Sequence, residues 1–180
     1  AAVLGTLMLL ESFAALALGQ AFWRLRTSAP IIQTFSFEIL LFSASRAQIV
    51  HEVIRPRLEA GGVVVCDRFY DSTLAYQGYG HGLDLTALRA ITDFATGGLR
   101  PDLTFLIDLP AEDGLRRRRR GGQWNRLDAY DLAFHQRVRQ GYFDLAAAEP
   151  DRWVTVDATR PVDAVQSEIR RVVEVRLERG

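Results

Sequence analysis

Apolar residues fall into three short continuous runs separated by longer stretches of helical periodicity. The runs are GVVVCD (Gly62 to Asp67), LTFLID (Leu103 to Asp108) and WVTVDA (Trp153 to Ala158). They are rich in branched side chains and do not alternate, the pattern of parallel strands buried on both faces. Each contains an aspartate at or near its end, followed by polar or turn residues. Helical patterns fill the gaps. Phe37, Leu40, Leu41, Ala44, Ala47 and Gln48 mark one, with Pro56 near its end. Leu85 to Ala95 is a second, closed by Gly97, Gly98 and Pro101; Asp131 to Ala148 is a third, stopped by Pro150; Pro161 to Arg179 is the last. Strand and helix in alternation predict an α/β three-layer sandwich with a mainly parallel sheet. In such sheets the ligand lies beyond the carboxyl ends of the strands, so Asp67, Asp108 and Asp157 are expected at one edge. No repeat or linker interrupts the pattern, and residues 1–180 read as one domain.

The first 22 residues are almost wholly apolar, with Glu11 the one charged residue among them. Leu7, Leu10, Ala14, Ala17 and Leu18 recur at helical spacing, which favours a buried amphipathic helix. The alternatives are a membrane segment, allowed by length, and a truncated or mistranslated start. A signal peptide fits poorly without a basic leading region. Residues 1–33 form an atypical N-terminal segment.

Charge changes this picture little: 22 basic and 22 acidic residues balance, so the net charge argues neither for nor against a nucleic-acid partner. Every basic residue is Arg, however, and the absence of Lys removes all lysine-based chemistry. A single cysteine, Cys66, excludes an internal disulfide and a cysteine-cluster metal site. A reducing cytoplasm is the natural location. His51, His81 and His135 lack metal-ligand spacing, and no protein metal site is expected.

The polar residues cluster where a crevice is expected. Asp67-Arg68 ends the first run and is followed by Ser72, Thr73, Tyr76 and Gln77. If a helix starts near Ser72, the pairs Ser72-Tyr76 and Thr73-Gln77 share one rim. An arginine beside a helix N-terminus makes an anion site; a structural ion pair is the plainer reading of Asp67-Arg68. Phe42 and Arg46 lie one helical turn apart. They are either a core ring with a solvated cation, or a ring that stacks on a base whose edge the guanidinium reads. Five consecutive arginines, Arg116 to Arg120, repel one another, so a packed helix there needs nearby anions. A flap over phosphates, hinged at Gly121-Gly122 and extended by Arg126, is one use for them. A short nucleic-acid patch is the other.

Four segments taken together resemble bacterial thymidylate kinases: LLFSASRAQ, DRFYDSTLAYQGYGHGLD, ATGGLRPDLTFLIDLP and FHQRVRQGYFDLAAAEPDRW. The resemblance runs from about Glu38 to the C-terminus. It implies a P-loop NTPase-like fold of the nucleoside monophosphate kinase type, and phosphoryl transfer from ATP to dTMP with Mg²⁺. By that resemblance Asp67 and Arg68 lie beside the phosphates, with Arg68 on the acceptor phosphate. Phe42 stacks on thymine and Arg46 reads the base. Ser72, Thr73, Tyr76 and Gln77 take nucleoside-binding positions, and Tyr142 lies near the sugar. Arg116, Arg118, Arg120 and Arg126 match lid arginines, in a lid spanning residues 114–128. Asp157, Ala158 and Thr159 match positions near the donor adenine. The partners implied are small-molecule nucleotides, with neither nucleic acid nor membrane; a homodimer is compatible.

The departures are specific. Phe69 stands where the family has Tyr, and NRLD (Asn125 to Asp128) replaces the usual acidic-basic lid sequence. There is no G-x-x-x-x-G-K-[ST], whose amides and lysine hold donor phosphates. RTSAP (Arg26 to Pro30) is a faint echo of a further family motif, and Gly5 to Gly19 resembles the helix that follows the P-loop. With the first strand and P-loop missing or altered, the chain as written is expected to bind dTMP weakly and to turn ATP over negligibly. A truncated or catalytically impaired homologue is therefore the alternative to an active kinase. A deoxynucleoside kinase and an arginine-tract RNA-binding or membrane-associated protein are weaker ones.

Overall fold

The computed structural model describes residues 31–121 and 130–178, with side chains from Phe37 onward. The expected helix Gly5 to Gly19 and Arg126 lie outside the described residues. The described residues form two compact units. Residues 31–66 and 90–99 make the first; residues 67–89, 100–121 and 130–178 make the second.

The first unit begins with helix α1, Ile31–Ile49. It runs without a break into a π-helical turn, Val50–Ile54, and then α2, Arg55–Glu59. Pro56 lies near the end of this helical run, as expected, and the run closes three residues later at Glu59. Proline cannot donate a backbone hydrogen bond and its ring crowds the preceding turn. Here that turn is the wider π-helical one, and Pro56 stands in the first turn of α2. Ile39, Val50 and Ile54 are buried. Helix α4, Leu85–Thr96, contributes Ala95 and Thr96 to this unit and ends as its glycines predict. Gly97 and Gly98 both take positive φ, +57° and +73°, and Gly98 N donates to Asp93 O at 2.9 Å. Arg55 Nη2 then donates to the helix-end carbonyls of Thr96, 3.2 Å, and Gly97, 2.7 Å.

One sequence expectation fails in this unit. Gly62 to Asp67 was expected as a buried strand, yet it forms no strand among the described residues. Val63 and Val65 are 64% and 77% exposed. A strand exists through its ladder partners, and no neighbouring described segment supplies them.

The second unit holds the sheet. Strands β1, Thr104–Asp108, and β2, Trp153–Asp157, pair in parallel. Asp108 faces Asp157 across the ladder, so both strand-end carboxylates lie at the carboxyl edge as expected. Helix α3, Tyr70–Thr73, continues as a π-helical segment, Leu74–Gly80. After β1 come α5, Ala111–Arg120, and α6, Leu132–Ala148; after β2 comes α7, Val162–Leu177. Asp131 caps α6 by accepting from Phe134 N at 2.7 Å.

A buried guanidinium joins these elements. Arg152, 7% exposed, lies just before β2 and meets Asp71 of α3, 5% exposed, through two bonds of 2.9 Å. It donates also to Thr104 Oγ1 of β1 at 2.8 Å and to both oxygens of Glu149, at 3.1 and 3.2 Å. The guanidinium has five N–H groups, and these bonds use all of them. Burial disfavours the Arg152 charge, but the bonds to Asp71 and Glu149 outweigh it and raise its pKa. The same bonds lower the pKa of Glu149. Burial, reinforced by the charge of Asp71, pushes the neighbouring Tyr70 phenol up to about 12.

Removing one member of a buried pair strands the other charge, so Asp71→Asn or Arg152→Ala should cost about 3–5 kcal/mol in urea unfolding. The apolar double variant Asp71→Leu/Arg152→Met should lie much nearer the wild type. Glu149 adds a pH signature. Its folded pKa is below the ordinary value of 4.5, so its stabilisation is present above that value and is lost as pH falls through the folded pKa. Glu149→Gln should therefore reduce stability at neutral pH and flatten the acid limb below about pH 4.5, measured by urea midpoints across pH.

Candidate functional site

Arg68 has φ +64°, the one non-glycine residue with positive φ among the described residues. Holding an arginine in the left-handed region costs about 1–3 kcal/mol and persists only when neighbours enforce it. Arg68 Nε donates to Ser72 Oγ at 3.2 Å, and its guanidinium lies over the Tyr76 ring, 4.5 Å from the centroid. Ser72 Oγ in turn shares a hydrogen bond of 2.9 Å with the Tyr142 hydroxyl. Tyr76 meets Tyr142 edge-on at 6.5 Å. Burial raises the pKa of Tyr142, with the Ser72 bond opposing, so its hydroxyl is protonated and able to donate at neutral pH.

The backbone that carries Ser72 and Tyr76 is set by close packing on α6. A Cβ added at Gly141 would lie 2.5 Å from Tyr79 Cγ, and one at Gly80 would lie 2.6 Å from Phe134 Cε2. These approaches require glycine. Arg137 also donates twice to Gly80 O, at 3.2 and 3.0 Å, satisfying a carbonyl at the end of the π-helical segment. Such segments widen the helix locally and recur at functional sites.

Arg68, Tyr76 and Tyr142 line a cavity of about 370 Å³ at the carboxyl end of β1. Its walls include Asp108 and Leu109, Gly114 and Arg118 of α5, and His135, Val138 and Arg139 of α6. Asp108 receives a bidentate pair from Arg139, both bonds 2.7 Å, which raises the pKa of Arg139. His135 Nε2 is buried with no hydrogen-bond partner among the described residues. A second cavity, about 230 Å³, is lined by Arg116, Arg117, Arg120, Asp113, Leu109 and Thr159. Asp157 accepts from Thr159 N and Oγ1, at 2.8 and 2.7 Å, which lowers its pKa. Arg117 Nη2 donates to Ala158 O at 3.1 Å.

The arginine run is helical. Glu112 and Asp113 occupy the first turn of α5 and four arginines the last, so both ends complement the helix dipole. Arg116 also pairs with Asp113 one turn back. These carboxylates are the anions that a packed arginine helix requires. Backbone and Gln136 hydrogen bonds lower the pKa of Glu112 and keep it ionised. Gly121 follows the helix; residues 122–128 of the expected lid lie outside the described residues.

The sequence-derived residues therefore separate into groups. Arg68, Ser72, Tyr76 and Tyr142 form one hydrogen-bonded and aromatic cluster, with Arg118 on the same cavity. Arg116 and Arg120 meet Thr159 on the second. Asp67 is exposed at the bend before Arg68. Thr73 and Gln77 were expected to share a rim, but they are 3% and 8% exposed and do not line the cavity that Tyr76 lines. The helix starts at Tyr70 and widens at Leu74, which turns that pair inward. In the first unit, Phe42 is 45% exposed on α1 and Arg46 follows one turn later. Sequence reasoning missed Arg139, Arg152 and Asp71. The strand-end carboxylate Asp108 was the available signal for Arg139, because a half-buried carboxylate demands a cationic partner.

A parallel sheet with arginine-lined cavities at its carboxyl edge is the place where α/β proteins take ligands, here suited to anions. Comparison with known proteins narrows the class. A sequence profile described as thymidylate kinase matches residues 29–169. A thymidylate kinase of Roseiflexus sp. strain RS-1 is 55% identical over 152 residues, covering 78% of this chain and 67% of that protein. One from Deinococcus radiodurans is 58% identical over 139 residues, covering 77% and 68%. One from Herpetosiphon aurantiacus is 46% identical over 165 residues, covering 78% and 70%. The chain belongs to the thymidylate kinase family, nucleoside monophosphate kinases of P-loop NTPase fold within the transferases.

Gly141→Ala tests the packing that places Tyr142. The added methyl has no space beside Tyr79, so urea unfolding should show a loss of about 1–3 kcal/mol.

Proposed function

We propose that the chain takes dTMP as acceptor of the γ-phosphoryl group of ATP, with the acceptor phosphate in the cavity that Arg68 and Arg118 line. The observation that carries this reading is the strained Arg68, held by Ser72 and Tyr76 at the end of the sheet. Neighbouring residues hold its guanidinium in place before any ligand arrives, which cuts the ordering cost of binding. Tyr142 stands beside it for the sugar. Phe42 takes the role of the ring that stacks on the base, and Arg46 that of the base reader. Asp67 sits beside the phosphates. Thr73 and Gln77 support the nucleoside side from within the packed core.

Arg116, Arg117 and Arg120 around Thr159 suit donor phosphates, and Asp157, Ala158 and Thr159 the donor adenine. Mg²⁺, carried on the phosphates of ATP, would supply charge neutralisation. Among the described residues no three His, Cys, Asp or Glu side chains cluster as a metal site of their own. The 180 residues contain neither lysine nor a G-x-x-x-x-G-K-[ST] loop. The groups described here thus account for the acceptor and for donor charge, not for an amide cradle around the β- and γ-phosphates.

The same reading places the protein in the cytoplasm, where the exposed thiol of Cys66 stays reduced. No helix among the described residues is long and apolar enough to cross a membrane. It includes a homodimer, whose second copy would cover apolar surface such as Phe94, 92% exposed.

Calorimetric titration with dTMP and thymidine tests the assignment. Arg68→Ala should weaken dTMP about ten- to hundred-fold, the value of a charge-assisted bond, and leave thymidine nearly unchanged. Equal losses for the two ligands would refute the role of Arg68. Phe42→Ala should cost roughly 1–3 kcal/mol in dTMP affinity, as for a stacked base, while the melting temperature holds. A collapsed melting temperature would make Phe42 a packing residue instead.

A further inference from the structure

Asp108 poses an electrostatic problem for any anion entering the larger cavity. It stands at the end of β1, on the wall shared with Arg68 and Arg118, and its side chain is 17% exposed. A half-buried carboxylate there would repel a phosphate dianion more strongly than one in water. Arg139 answers it with two bonds of 2.7 Å, in the fork geometry that matches a carboxylate. Arg139 keeps a 39% exposed side chain and lines the same cavity. Glu112 is the other carboxylate acting on Arg139, and Gln136 holds it by a 2.8 Å bond.

We propose that Arg139 is a positioning residue for acceptor-phosphate binding: it neutralises Asp108, so that the cavity lined by Arg68 and Arg118 takes the phosphate without repulsion from that carboxylate. The proposal rests on the acceptor reading above. It assigns Arg139 no contact with the ligand; its effect passes through Asp108. Removing Arg139 alone therefore harms phosphate binding, and removing the Asp108 charge as well repairs it. A residue that merely braces α6 against β1 would not show that rescue.

The test is a double-mutant cycle of Arg139→Gln and Asp108→Asn, with dTMP and thymidine titrated at two salt concentrations and urea midpoints measured in parallel. Arg139→Gln should lower dTMP affinity about ten-fold, a typical coupling for neighbouring charges, with thymidine within about two-fold. The loss should shrink at high salt. Asp108→Asn should hold or tighten dTMP binding, and the double variant should return to near wild-type affinity. Equal loss of both ligands in Arg139→Gln, or no rescue in the double variant, overturns the proposal. If Arg139→Gln does not fold, the other two proteins still decide, because weakened dTMP binding in Asp108→Asn overturns it. A wild-type protein that fails to prefer dTMP to thymidine overturns the acceptor reading itself, and the proposal with it.

Discussion

The cluster around Arg68 depends on a guanidinium that never reaches it. Arg152 is buried, yet its five donors bind Asp71, Thr104 and Glu149. Isolated, that charge would be intolerable inside a protein; with every donor matched it becomes a junction. Asp71 belongs to α3, Thr104 opens β1, Glu149 follows α6, and Arg152 leads into β2. Four elements are therefore fixed against one another at a point where apolar contacts alone would allow sliding. A buried pair of this sort is weak evidence for net stability; its consequence here is the placement of the elements it joins.

From that point the geometry propagates along the chain. Asp71 is followed directly by Ser72, which holds Arg68 and Tyr142 together. Fixing Asp71 fixes Ser72, and Ser72 with Tyr76 keeps Arg68 in its costly left-handed conformation. On the far side, Gly80 and Gly141 let the π-helical segment approach α6 closely enough for Tyr142 to meet Tyr76. The phosphate role proposed for Arg68 needs this support, because a binding arginine gains most from being placed before the ligand arrives. The arginine-rich helix α5 solves a different problem, answering its own repulsion with acidic residues in its first turn.

How much of this could be read in the sequence follows the range of the interactions. Helices α4, α6 and α7 were legible because caps, glycines and apolar spacing act within a few residues. β1 and β2 were legible for the same reason, and so was the gathering of Asp108 and Asp157 at one edge. The valine run before Asp67 misled because a strand needs partners that no local pattern reports; Val63 and Val65 are left exposed. Thr73 and Gln77 misled because the helix starts two residues early and then widens, a register change that depends on packing against α6. Arg68, Ser72 and Tyr76 were legible from their place after the first apolar run and from helical spacing, and Tyr142 only from resemblance to a family; the structure brings all four together. The junction of Asp71 with Arg152 spans 81 residues of sequence, and nothing local in DSTLAY or EPDRW announces it.

Amide hydrogen exchange on Arg152→Met, under conditions where the protein remains folded, tests the central claim most directly. The junction predicts faster exchange concentrated in residues 70–80, with parallel weakening of dTMP binding, while the α7 amides keep their protection. Unchanged protection across residues 70–80, or a uniform loss over the whole chain, would contradict the claim that this one buried pair positions the site.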